Sequence, residues 1–139
     1  MKFVFFKTLA ILFIGVIAFG ACKKYPEDDG NSSGTAKKRL TKTWNLVDLK
    51  VNNVDVIFAL SLEKVEFKKD GECIFTYYST RTSTYQWEFI DKKSKIKLSI
   101  DGYERTLFIL KLTDTELKWQ EENTSPEYEI WVYSFNVSE

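Results

Sequence analysis

From Leu40 onward the chain alternates apolar and polar residues in short runs. Val65 and Phe67 lie between Lys64, Glu66 and Lys68, and Tyr85, Trp87 and Phe89 between Thr84, Gln86 and Glu88. Ile96, Leu98 and Ile100 alternate with Lys95, Lys97 and Ser99, while Leu117 and Trp119 alternate with Glu116, Lys118 and Gln120. A period of two puts each apolar set on one face of a strand and each charged set in water. Turn chemistry separates the runs: Asn52-Asn53, Asp70-Gly71 and Asp101-Gly102 are strong hairpin signals. The pattern predicts strands over 43–51, 62–68, 72–79, 83–90, 94–100, 103–112, 115–120 and 127–135, with an apolar connector at 54–61. The best helical candidate is a turn or two within 55–61. A lone sheet of these strands would expose a greasy face and two open edges. Closure removes both, so the expected fold is all-β, a small antiparallel eight-stranded up-and-down barrel.

The N-terminus follows a different pattern. Lys2 and Lys7 precede the unbroken apolar or small run "LAILFIGVIAFGA" from Leu9 to Ala21. Such a run fits a signal-peptide core (roughly 7–15 residues) and falls short of the roughly 20 that span a bilayer. Small residues at Gly20 and Ala21 suit a peptidase, and Cys22 follows at once. Residues 25–38, "YPEDDGNSSGTAKK", mix Pro, Gly, Ser, Asn and charge without periodicity and read as a flexible tether. The expected organisation is a leader over 1–21, a lipidated cysteine and tether over 22–38, and the barrel domain over 39–139.

Two resemblances sharpen this reading. "FGAC" resembles the lipobox of bacterial lipoproteins, with Phe19 where Leu is commoner, and the Lys-Lys pair after Cys22 is similar to those of the Bacteroidetes type. The resemblance implies that Cys22 is acylated and becomes the mature N-terminus. The acidic cluster Glu27, Asp28 and Asp29 is loosely similar to the export signal of surface-exposed members. The implied location is the cell envelope, as an outer-membrane lipoprotein facing the periplasm or the cell surface. A plain secretory signal, leaving Cys22 a free thiol, is the alternative. Further on, "LTKTWNLVDLKVNNVDV", "VEFKKDGEC" and "LTDTELKW" resemble the lipocalin-like domains of such lipoproteins over about residues 40–135. This implies a lipocalin-like barrel that holds a ligand. Lys42 stands where the Gly of the lipocalin Gly-X-Trp pattern would be, and the last strand has no Arg to stack on Trp44.

Composition narrows the chemistry. The 20 basic and 20 acidic residues balance, and from Cys22 onward, without Lys2 and Lys7, 20 − 2 = 18 basic face 20 acidic. Nothing basic enough for a nucleic-acid partner is present. There is no histidine, which removes the commonest general base and transition-metal ligand. "SLEK" at 61–64 has the spacing of a Ser-Lys pair, but Lys64 falls on the polar side of a strand. Glu121-Glu122 and Glu127/Glu129 read as solvated rim charges. The expectation is a protein without catalytic residues, cofactor or metal, and Cys73 as a small buried hydrophobe.

The aromatics carry the functional expectation, with 4 Trp, 7 Tyr and 11 Phe in the chain. Phe67, Tyr77, Tyr85, Trp87, Phe89 and Trp119 fall where they could line a barrel, in or at the mouth, around a small hydrophobic or glycan-like ligand. A small barrel can instead be filled by its own side chains. In that case the function would be protein interaction, as an inhibitor or a subunit of an envelope complex. The last strand, with Trp131, Tyr133 and Phe135 on one face, is then the expected exposed aromatic surface. A filled core predicts no cavity, whereas ligand binding predicts a dry one beside Trp87.

Overall fold

The computed structural model describes residues 24–28, 34–123 and 127–139. The leader and Cys22 lie outside the described residues. The chain runs α1 (Ala36–Leu40), β1 (Thr43–Val51), β2 (Val54–Asp55), β3 (Leu62–Phe67), β4 (Glu72–Tyr77), β5 (Thr82–Ile90), β6 (Lys95–Ile100), β7 (Tyr103–Leu112), β8 (Glu116–Asn123) and β9 (Glu129–Val137). All strand pairings are antiparallel between neighbours, and β9 returns to pair with β1 from Trp44↔Val137 to Val51↔Trp131. Setting aside the two-residue β2, which only extends a hairpin from β1, the result is a closed eight-stranded barrel.

Closure requires β1 to bend. Its first residues pair with β3 through Thr43↔Glu66, Trp44↔Val65 and Asn45↔Lys64. A bulge between Leu46 and Asp48 then shifts the register against β9. The tight hairpins use the residues that suit left-handed backbone: Asn52 and Asn53 have φ of 49° and 67°, and Asp101 and Gly102 have 49° and 80°. The connector at 54–61 holds a single 3-10 turn over Ile57–Ala59.

Because the strands alternate direction, their ends sort into two groups. One end, the mouth, carries the connections after β1, β4, β6 and β8. The other, the base, carries α1, the connections after β3, β5 and β7, and the C-terminus. Trp44 anchors the base, donating its indole N–H to the Leu40 carbonyl at 2.9 Å. Lys42 lies over its ring at 5.9 Å, a local cation in place of one from the last strand. Trp87 donates to the Lys68 carbonyl at 2.9 Å and meets Phe67 and Phe89 edge to face, at 5.6 and 5.4 Å between centroids. Trp119 fills the middle, 4.3 Å from Phe135 and 6.3 Å from Phe67.

The segment expected to be a tether is folded where it is described. Tyr25 is 1 % exposed and belongs to the core, its hydroxyl donating to the Lys93 carbonyl at 3.0 Å. The Glu27 N–H donates to the Leu110 carbonyl at 2.8 Å, beside a bulge in β7, and the Leu112 N–H donates to the buried Asp28 carboxylate at 2.8 Å. The Glu27 carboxylate pairs with Lys118 at 2.6 Å. Residues 24–28 thus strap the base of the barrel. Residues 36–40 form α1, capped by the Thr35 hydroxyl, which accepts from the Lys38 N–H at 3.2 Å. The anchors are isolated side chains, an aromatic plug and a carboxylate aimed at one amide, so no periodicity announces them.

Two outcomes follow from this strap. Tyr25→Ala is expected to lower unfolding free energy by roughly 3 kcal/mol in urea denaturation, as for other buried aromatic truncations. A freely mobile Tyr25 would give no change. Burial also pushes the Tyr25 hydroxyl from its ordinary 10.0 up to about 12, with Asp28 adding to the rise and Arg39 opposing it. The unfolded chain loses this proton first, so stability is full below pH 10 and falls as pH rises toward 12. Alkaline melting curves should show a shallower fall for Tyr25→Phe than for the parent.

Candidate functional site

At the mouth the inward-facing positions change from apolar to charged. On β7 the inward set is Arg105, Leu107 and Ile109; on β8 it is Leu117, Trp119 and Glu121; on β9 it is Trp131, Tyr133 and Phe135. Leu107, Leu117 and Phe135 are buried toward the middle and base, which leaves Arg105 and Glu121 as the upper members of their rows. They meet in a forked ion pair: Arg105 Nη2 lies 2.7 Å from Glu121 Oε1, and Arg105 Nε 3.1 Å from Oε2. Both side chains are mostly shielded from water. The Trp119 indole N–H donates to the same carboxylate at 3.2 Å. The guanidinium lies 5.4 Å from the Phe75 ring centroid and 5.8 Å from that of Tyr85.

The electrostatics keep the guanidinium of Arg105 charged. Burial works against the Arg105 charge, but attraction and hydrogen bonding from Glu121 outweigh it and hold the guanidinium above its ordinary value. Burial raises the Tyr133 hydroxyl, with Glu121 adding to the rise and Arg105 opposing it. Burial likewise raises Tyr77 and the Cys73 thiol, so neither is a ready nucleophile. A shielded ion pair is a poor way to gain stability, because desolvation consumes most of the attraction. What it does offer is fixed, directional charge.

That charge faces an open cleft of about 600 Å³. Arg105, Glu121, Trp131 and Tyr133 form its inner part, and Tyr103, Glu104, Glu122 and Asn123 its exposed margin. Four exposed aromatics stand at this same end, Phe58, Tyr78 and Tyr128 on connections and Tyr103 at the start of β7, with Phe58 at 87 % exposure. Among the described residues no group of three His, Cys, Asp or Glu is placed to hold a metal ion, and no helix is long and apolar enough to cross a membrane.

The residues expected to line a ligand do not line this cleft. Phe67, Trp87 and Trp119 pack against one another and their neighbours as core, with Trp87 8 % exposed, and Phe89 joins them from the base. The space beside Trp87, where the ligand-binding alternative predicted a dry cavity and the filled-core alternative none, is occupied by these rings. Tyr77 and Tyr85 come nearest to the site, beside Arg105. The expected outer stripe is also corrected: Tyr133 and Phe135 are 7 % and 1 % exposed and point inward. Of the three, Trp131 alone reaches the cleft without being buried. An apolar residue on both faces of a strand cannot say which face is inside; pairing with β1 and β8 decides it. Arg105 was not singled out, and Glu121, expected as a solvated rim charge, is instead shielded against Arg105; the signal was present, since each shares the parity of an apolar row, 105-107-109 and 117-119-121.

No family model matches the chain, and neither does any curated protein. Solved structures do share its fold. Bovine odorant binding protein in complex with a selenium-containing odorant superimposes with a TM-score of 0.51 at 14% sequence identity, over 78% of this chain and 76% of that one. The same bovine protein in complex with undecanal gives 0.50 at 13%, over the same shares of each chain. At such identities the likeness concerns architecture, and the fold of this chain is a lipocalin-like eight-stranded barrel.

Proposed function

We propose that this protein is a non-catalytic binding lipoprotein, held in the cell envelope by an acylated Cys22, which takes a small glycan-like or amphipathic ligand at the mouth of its barrel. The observation that carries the reading is the Arg105–Glu121 pair, oriented and shielded at the inner part of an open cleft beside Trp131 and Tyr133. Aromatic faces beside planar charged groups suit a sugar ring, which offers C–H faces for stacking and hydroxyls that both donate and accept. A long alkyl chain would need a dry interior, and here Trp44, Phe67, Trp87, Trp119 and Phe135 fill it. The fold neighbour was solved with undecanal; this chain shares the barrel and offers an open cleft with a charged pair at its inner part.

A second reading, a protein-interaction module such as an inhibitor or envelope-complex subunit, is favoured by Phe58, Tyr78, Tyr103 and Tyr128 around the same mouth. In that reading a partner would set one of its own side chains into the cleft.

Native mass spectrometry of the protein recovered from a bacterial host distinguishes the two. The expected result is a reproducible bound mass that is lost in Arg105→Met/Glu121→Met. Replacing both members leaves no unpaired buried charge but orphans the Trp119 indole N–H, so stability should fall by no more than about 1–3 kcal/mol. Binding should fall at least about tenfold, the scale of one lost charge-assisted hydrogen bond. Trp131→Ala provides an independent loss. A bare mass in the parent, with a protein co-purifying instead, would overturn the ligand reading in favour of the second.

Anchoring is tested separately: Cys22→Ser should move the protein from the membrane fraction to the soluble one, and an unchanged distribution would sink the lipoprotein reading.

A further inference from the structure

The two ends of the barrel differ in charge. At the base, Lys24, Lys37, Lys38, Lys69, Lys92 and Lys93 are all exposed, and among the described residues none of them is in an ion pair. Of the acids at that end, Asp70, Asp114 and Glu139 are exposed, fewer than the six lysines, and three others are held in place. Glu27 pairs with Lys118, Asp91 pairs with Lys95, and Asp28 is buried against the Leu112 amide. The mouth is the reverse: Asp55, Asp101, Glu104, Glu122 and Glu127 are exposed there. A chain of formal charge zero is therefore polarised along the barrel axis.

The cations at the base are crowded. Lys24 is drawn below its ordinary value by burial and then by Lys93 and Arg39, so these three charges feel one another. Arg39 is 7 % exposed, and its Nε has no hydrogen-bond partner among the described residues. The backbone holds Lys92 and Lys93 at this end at a cost. Asp91, Lys92 and Lys93 have φ of 48°, 55° and 68°, three left-handed residues in succession without a glycine. Tyr25 donates to the carbonyl of the last of them.

We propose that the base of the barrel, with this set of lysines, is a docking face for an anionic lipid bilayer. Charge complementarity commits the face to that occupant, and the acidic mouth is repelled by the same surface, so both ends favour one orientation. Chain length agrees. Cys22 is three residues from Tyr25, which is buried in the base, so an acylated Cys22 places that end within roughly 10 Å of the headgroups. The distance argument rests on the lipoprotein reading, whereas the charge argument does not. The barrel then stands base-down, and the cleft with Arg105 and Glu121 faces away from the membrane.

Two labelled forms of the host-processed protein test this, Thr115→Cys at the base and Val54→Cys at the mouth; Cys73 is buried and out of reach of the label. On vesicles of about one-third phosphatidylglycerol with a headgroup energy acceptor, transfer from position 115 should exceed that from position 54 at least about twofold. Lys37→Glu/Lys69→Glu/Lys93→Glu, or about 0.5 M salt, should reduce the base signal, because screening at such ionic strength reaches only a few ångströms. On phosphatidylcholine vesicles the triple reversal should change nothing. Equal transfer from both positions, or indifference to reversal and salt, overturns the docking face. The intact mass at Cys22 reports acylation independently. If no acyl chain is found, the anchor reading fails, and sedimentation with the same vesicles decides the face. Salt-sensitive binding weakened at least tenfold by the triple reversal upholds it, and no such binding overturns it.

Discussion

The pairing of β1 with β9 is the constraint on which the rest depends. Once the sheet closes, no edge remains to be covered, and the inward-facing side chains must share one enclosed space. An eight-stranded ring is just wide enough for its own side chains to fill. The sequence supplies Trp44, Trp87 and Trp119 to the buried interior, with Phe67, Phe75 and Phe135 beside them, and the core toward the base is filled. Above that core, on β7 and β8, the inward positions border the open cleft and can carry charge. Arg105 and Glu121 occupy that level, and the site exists there because the core below leaves no room for it elsewhere.

Closure at the base depends on segments outside the ring. Strands that converge there would leave the bottom of the core open to solvent, and two separate pieces cover it. Helix α1 offers Leu40 and the carbonyl that Trp44 needs, while Tyr25 plugs the remaining gap and Asp28 occupies a backbone amide of β7. Each removes one buried polar orphan as it covers apolar surface, which is why so few residues suffice.

The strands were legible because their signal is repeated. Alternation over five or six positions, bounded by Asn-Asn or Asp-Gly, leaves little choice of element, and the 43–51 and 103–112 boundaries coincide with β1 and β7. What was not legible lacks repetition. Tyr25 and Asp28 act singly within a stretch that reads as linker, and only the shape of the barrel base gives them a role. The site failed to show for a different reason. Large aromatics draw attention as ligand contacts, yet on inward rows of a narrow barrel they are the cheapest way to fill volume, as Trp87 and Phe67 do. The informative residues were the charged ones on apolar rows, where a side chain that ought to be in water is kept out of it.

This gives a physical meaning to the separation of the two proposed surfaces along the barrel axis. Tyr25 ties the strap near Cys22 into the same core whose filled state pushes the Arg105–Glu121 pair up to the mouth. The base carries lysines that form no ion pair among the described residues, Lys92 and Lys93 of them on a turn held in left-handed backbone, and the mouth carries acids around aromatic side chains. These ends are about one strand length apart, roughly 25 Å for a tilted strand of nine residues, well beyond the Debye length at physiological salt. Each end can therefore meet its own partner without its charge disturbing the other. A mobile linker would have let either end turn toward the membrane. Under the anchoring proposed for Cys22, a short connection fixed to the base leaves the cleft one direction to face, outward from the membrane.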